Sequence, residues 1–292
     1  VYYSFRMFKP RYSFSRRLLC KGFGMIRLGF AFVVAGIFGS GAEFFIRSYL
    51  NTASSLDVVG LYNAGYMMTM TYAGLVFSAM ETDYFPRLSS IEGTGAELNK
   101  AVNEQMEVSL LVVSPLLVAF IVSQPILLPL FYSGKFLPAM KMIQIMILAM
   151  YLRAVKLPVA YIPLAKGDSK SYLLMESLYD LALVLLVIFC FENWGLTGAG
   201  IAVLLAAIFD FFLLFVYMGW RYDFRLSSNI LRFMLLQLPI GALAFSLTFQ
   251  SYGWLYWLEG AMLFLVSIGI TLQILRRKTH IIEFLRKKIV KK

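Results

Sequence analysis

Cysteine and histidine are nearly missing from this chain. The two cysteines, Cys20 and Cys190, lie far apart, one in a basic lead and one inside an apolar run, and the only histidine, His280, sits in a basic tail. No disulfide framework and no Cys/His metal site can be written from that inventory, and no cofactor motif is visible. Charge is also scarce. Only 15% of the 292 residues are Asp, Glu, Lys or Arg, against about a quarter in an ordinary soluble domain. The start carries no charged n-region followed by a short apolar core and a small-residue cleavage site. Residue 1 is Val, and the chain reads as a fragment of something longer.

Hydrocarbon fills the space left by charge. The chain is 60% hydrophobic and 16% aromatic, with a mean hydropathy of +0.74. A bilayer core of about 30 Å needs about 20 apolar residues in a helix. Eight stretches reach that length: Leu28–Ile46, Val58–Met80, Ser109–Phe131, Met142–Ala165, Tyr172–Phe191, Leu196–Trp220, Asn229–Phe249 and Trp254–Leu275. The expectation is an all-α polytopic membrane protein with about eight transmembrane helices. Short connections such as Lys166–Ser171 predict antiparallel neighbours. The longest connection, Glu81–Val108, is polar, and Ala96–Met106 within it reads as a surface helix.

The net charge of +11 is distributed, not diffuse. With the N-terminus placed in the cytoplasm, the inside segments collect nearly all Lys and Arg, and only Arg47, Lys135 and Lys141 fall outside. That is the asymmetry of cytoplasmic loops, with basic residues held against anionic membrane lipids. It leaves no case for a nucleic-acid partner, and it places both termini in the cytoplasm. The tail repeats the pattern: Ile281, Ile282, Leu285 and Ile289 share a helical face opposite basic residues, as in a membrane-surface helix.

Two cations fit neither side. Arg153 and Lys156 lie inside the fourth apolar stretch, three residues apart and so on one helical face. Each costs about 2.5–3.5 kcal/mol at a helix centre, so that face must look at protein or water. Pro158 and Pro163 follow on the same stretch and tend to kink it. The acids Glu176 and Asp180 share a face of the next stretch, and Asp210 lies on the one after. Counting outward from the turn near Asp168 puts Lys156 and Asp180 at similar depth. One reading is a set of interhelical ion pairs. The other is a hydrated cleft whose cations receive an anion, with Glu176, Asp180 and Asp210 as the charge network or ion-coupling groups. Two bases do not close the account of three acids, which favours the cleft. Asn63 and Tyr66 in GLYNAGY are further candidates for it. Glu43 and Arg47 read as an exposed i,i+4 pair. Gly36, Gly39 and Gly41, like Gly195, Gly198 and Gly200, read as packing glycines.

Five short pieces in order then carry a resemblance: DVVGLYNAGY (Asp57–Tyr66), DYFPRLS (Asp83–Ser89), LFYSGKFLPA (Leu130–Ala139), LAKGDSKSY (Leu164–Tyr172) and GLTGAGIA (Gly195–Ala202). Over about Leu18–Trp220 the chain resembles the polysaccharide-biosynthesis, O-antigen (Wzx-type) flippases of the multidrug/oligosaccharidyl-lipid/polysaccharide (MOP) exporter superfamily. The resemblance implies the second six-helix lobe of a MATE-like fold plus two extra helices. Residues 1–27 are then a basic cytoplasmic lead linking lobes, 28–220 the lobe, 221–275 the additional pair and 276–292 a basic cytoplasmic tail. It implies a bacterial inner-membrane location and a missing N-terminal lobe. It also implies a substrate, an undecaprenyl-pyrophosphate-linked oligosaccharide, moved by alternating access, with Arg153 and Lys156 facing its pyrophosphate. The alternatives are a cation-coupled multidrug exporter of the same superfamily, or a fragment inactive by itself. A membrane enzyme is not expected, because the outer loops are short and lack histidine.

Overall fold

The computed structural model describes residues 16–278, and every element among them is helical. The first part of the basic lead and the tail with His280 and Ile281–Ile289 lie outside the described residues. In chain order the helices are α1 (Arg16–Ala53), α2 (Leu56–Tyr66), α3 (Ala73–Ser90), α4 (Ala96–Phe131), α5 (Met140–Ala165), α6 (Ser169–Tyr222), α7 (Ser228–Leu247) and α8 (Trp254–Lys278). A π-helical turn, Met67–Tyr72, joins α2 to α3, and a 3₁₀ turn, Gly134–Ala139, leads into α5. Helices are what such a sequence must form, because a bilayer offers backbone groups no outside partner.

Six helices are long and apolar enough to cross a membrane. One of them crosses twice. A straight helix of 54 residues would hold its ends about 80 Å apart. Instead, the Tyr222 hydroxyl near the end of α6 donates to Asp168 at its start, 3.0 Å away. The reversal is at Gly195, whose φ of 56° and ψ of −141° suit a residue without a side chain. Two antiparallel arms result, 169–194 and 196–222. The arms take the places of two of the eight stretches read from hydropathy; the α2–π–α3 segment takes the place of the second, but it is not among the six candidate spans.

Glycine sets the packing of the second arm. A Cβ on Gly200 would stand 2.7 Å from the Met142 carbonyl oxygen, so the arm lies directly on α5. Ala199, Ala202 and Ala206 beside it are fully buried, as are Met146, Ile147 and Val155 of α5. Of the α1 glycines Gly29, Gly36, Gly39 and Gly41, only Gly39 is near a neighbour, the Asp180 carboxylate at 3.6 Å. Gly36 and Gly41 face open space, so the expected close packing through them is not formed.

α7 and α8 dock on α4. Tyr256 donates to the Val122 carbonyl (2.7 Å) and Thr271 to that of Leu111 (2.9 Å). Gln237 and Ser267 bond each other across the pair at 2.8 Å.

Two expectations need correction. The surface helix at Ala96–Met106 is not separate; it is the start of α4, which runs unbroken to Phe131. Its Leu98, Val102 and Met106, four apart, are buried on one face, and Asn99 and Asn103 hold the 223–227 linker through both amide groups. The irregular span is also not the one with the cations. α5 continues through Pro158 and Pro163, and the break lies in the π turn of the second span.

Candidate functional site

The cations lie between α5, the π turn and both arms of α6. Arg153, Lys156, Met70, Glu176, Tyr179 and Asp210 line a cavity of about 130 Å³, room for several waters. Both cations line this cavity. Lys156 forms an ion pair with Asp210, whose side chain is 3% exposed, and the Tyr179 ring lies 4.7 Å from its Nζ. Arg153 is held differently. Its guanidinium donates to the Met70 thioether (3.4 Å) and stands 6.0 Å from the Phe77 ring centre. Among the described residues no carboxylate lies within ion-pair distance of it. One cation is therefore neutralised and the other is capped only by a soft sulfur and a ring.

The acids divide. Depth counting set Lys156 level with Asp180, but Lys156 pairs with Asp210 because the second arm of α6, free of side chain at Gly200, approaches α5 closely. Glu176 is on the same cavity wall. Asp180 is half-buried beside Gly39 of α1, within electrostatic range of Glu176, Lys156 and Glu43.

Asn63 and Tyr66 do not line this cavity. Seven residues of helix separate Asn63 from Met70, about 10 Å of axial rise. Both residues bond instead to the pair expected to be exposed. Arg47 donates to Glu43 (2.9 Å) and to the Asn63 side-chain oxygen (2.7 Å), and Tyr66 donates to Glu43 (2.6 Å). The Glu43–Arg47 pair is thus the centre of a polar cluster tying α1 to α2. Its i,i+4 spacing was visible in sequence, but the partners on α2 were not. Tyr179 and Met70 also escaped the sequence reading, since an aromatic or Met in an apolar run looks like core.

A third polar group closes the end of the bundle where α6 begins and ends. Asp168 accepts from the Ser171 N–H and hydroxyl, from Tyr222 and from Arg221. Burial pushes its carboxyl up, but these donors outweigh burial and hold it below the usual carboxylate range. Nearby, Lys166 donates to the Ile91 carbonyl at 2.6 Å. Burial lowers its ammonium, with Glu97 opposing.

Among solved structures, the chain is similar to the lipid II flippase MurJ in an inward closed conformation. The TM-score is 0.68 and the identity 14%, over 92% of this chain and 57% of that one. It is also similar to an outward-facing multidrug resistance MATE family transporter of the MOP superfamily (TM-score 0.52, 16% identity, 77% of this chain, 52% of that one). A third likeness is to a MOP superfamily transporter from Pyrococcus furiosus (TM-score 0.50, 17% identity, 77% and 52%). Residues 1–141 match the family described as polysaccharide biosynthesis protein. The likeness is one of fold, to a flippase and to transporters, and the family match covers just under half of the chain. No curated protein matches the chain. The chain spans just over half the length of each solved structure. It is a multi-pass membrane protein, and the proteins of like fold are a flippase and transporters.

Proposed function

We propose that the chain is the substrate-binding second lobe, with an additional helix pair at 221–275, of a flippase for a lipid-linked oligosaccharide. It works in the bacterial inner membrane with both termini cytoplasmic, and a companion N-terminal lobe closes the cleft. The observation that carries this reading is Arg153, a cation on a cavity wall that no carboxylate among the described residues neutralises. An anion entering the cavity displaces the Met70 sulfur and gains charge-assisted hydrogen bonds from the guanidinium. A pyrophosphate headgroup offers the oxygens for a bidentate contact. Lys156 is a positioning group, pinned by Asp210. Glu176 and Asp180 are left for ion coupling. Asn63 and Tyr66, with Glu43 and Arg47, stand further along the same cleft, where polar groups suit the sugar.

Arg153→Gln in the full-length protein tests the proposal. Pyrophosphate affinity falls about tenfold or more, and surface polysaccharide is lost at unchanged protein level. Wild-type surface polysaccharide in that variant would remove the role given to Arg153. Glu176 supports a second reading, a cation-coupled multidrug exporter, because it too lines the cavity with no basic group at ion-pair distance among the described residues. Drug sensitivity on deletion, with intact polysaccharide, would select that reading.

A further inference from the structure

The α2–π–α3 segment carries one residue more than its packing needs. Gly65 of α2 and Tyr84 of α3 both face α5. A Cβ on Gly65 would run into the Met142 and Ile143 side chains, and the Tyr84 hydroxyl donates to the Pro158 carbonyl at 2.8 Å. Eighteen residues make five turns of an α-helix, so an unbroken helix from Gly65 would turn Asp83 to α5, and Arg87 one turn later. Both are exposed. The buried face of α3 is Phe77, Tyr84 and Leu88, each one place later than an unbroken helix requires. The π turn at Met67–Tyr72 takes up that residue.

Removing one residue there would give a plain helix with the same contacts at both ends. What the extra residue changes is the middle. On an unbroken helix Met70, five residues past Gly65, would point about 140° away from the α5 face. In the wider π turn its sulfur comes round to α5 and accepts from Arg153 at 3.4 Å. The threonines of the turn are spent within it, Thr69 on the Gly65 carbonyl and Thr71 on the Met67 sulfur. π turns are frequent at functional sites, and this one delivers a single side chain to a cavity wall.

A thioether is a weak acceptor, so Met70 directs the guanidinium without neutralising it. The Phe77 ring, 6.0 Å from the guanidinium, supports it from the same helical segment. Glu176 lines the same cavity from α6. A guanidinium free to turn would prefer a carboxylate, in a two-point contact, to a sulfur. Arg153 and Glu176 nevertheless form no ion pair.

We infer that the extra residue of the π turn is kept for Met70, and that Met70 is a positioning residue that holds Arg153 off Glu176 and so leaves the cation open to an anion. The anion rests on the proposed function; the hold on Arg153 does not.

The test uses the full chain in phosphatidylcholine nanodiscs, with two readouts. Phenylglyoxal modification of Arg153, followed by peptide mass spectrometry, reports the free guanidinium without any ligand. Binding of inorganic pyrophosphate reports the site. Met70→Leu keeps the side-chain volume, so folding is spared. In that variant Arg153 turns to Glu176, and both modification rate and pyrophosphate affinity are expected to fall about tenfold. Met70→Leu combined with Glu176→Gln is expected to restore both, which a merely structural loss at Met70 would not allow. Deletion of Thr71 is expected to leave Tyr84 on Pro158, to melt within a few degrees of wild type, and to slow Arg153 modification as Met70→Leu does. Wild-type modification of Arg153 in Met70→Leu or in the deletion variant overturns the inference. A loss in Met70→Leu that Glu176→Gln does not restore also overturns it. The expected modification pattern in a chain that binds no pyrophosphate upholds the hold on Arg153 and overturns the flippase reading, so the two fail separately.

Discussion

Asp210→Asn perturbs the cavity most directly. The Asp210 side chain is 3% exposed and that of Lys156 16%, so each charge depends on the other in place of water. Breaking a buried pair from one side costs about 3–5 kcal/mol, because the surviving charge stays uncompensated. Two neighbours soften the loss. The Tyr179 ring at 4.7 Å supports a cation by about 1–2 kcal/mol, and Glu176 shares the cavity wall. The expected cost of Asp210→Asn is then about 2–3 kcal/mol. Lys156→Met strands a carboxylate with no aromatic support and costs at least as much. Removing both charges with Lys156→Met and Asp210→Leu should return stability to within about 1 kcal/mol of wild type. Thermal unfolding of the purified chain in one detergent reads this cycle. Each single variant melts several degrees lower, and the double recovers most of the loss. Single variants that melt with wild type would show that the pair carries no stability. Lys156 would then be as available to an anion as Arg153, and the division of labour between the two cations would fail.

Asp168→Asn keeps the cap but loses the charge that Arg221 and the α6 N-terminus favour, and is expected to cost about 0.5–1 kcal/mol at neutral pH. The Asp168 carboxyl is held low in the folded chain, so its stabilisation is present above about pH 4, its unfolded value, and is lost as pH falls through the lower folded value. Melting curves of variant and wild type should therefore converge in acid and separate above about pH 4. Gly200→Val places a Cβ 2.7 Å from a backbone oxygen and should cost about 1–3 kcal/mol. Gly41→Ala, with nothing within 4 Å, should stay within about 0.5 kcal/mol. Equal melting of the two glycine variants would deny the close contact of α6 with α5.

Spans were legible because each must be apolar along a membrane's thickness, and hydropathy reports that directly. The Asp168 turn was legible for a related reason, since Gly167 and Asp168 interrupt an apolar run, whereas Gly195 read as a packing glycine and is instead where α6 reverses. Partners were harder. Lys156 and Asp210 are 54 residues apart, and a count along two arms fixes depth without fixing rotation, so Asp180 looked as good a partner as Asp210. Glu43 and Arg47 looked like an ordinary surface pair because their α2 partners, Asn63 and Tyr66, are a loop and a helix away. The π turn was illegible: MMTMTY carries no proline and only threonine to disturb a helix. Its threonines bond backward, Thr69 to the Gly65 carbonyl and Thr71 to the Met67 sulfur. The prolines drew attention to α5, where Tyr84 donates to the Pro158 carbonyl at 2.8 Å and the helix persists.

The two sides of α1 demand different surroundings. Glu43 and Arg47 keep 33% and 37% of their side-chain surface open, while Phe44 and Phe45 between them turn outward. Neighbours on a helix are about 100° apart, so the aromatic pair and the charged pair cannot share a setting. Phe44 and Phe45 suit lipid. A charged group turned toward lipid is costly, and the bonds to Asn63 and Tyr66 leave part of each charged group unsheltered. Asp180 lies against Gly39 one turn away and shares the charged side. That side of α1 is therefore bordered by water or polar protein. Asn63 and Tyr66 of α2 meet that side, so α1 offers aromatics to an apolar setting on one face and a bonded polar cluster on the other.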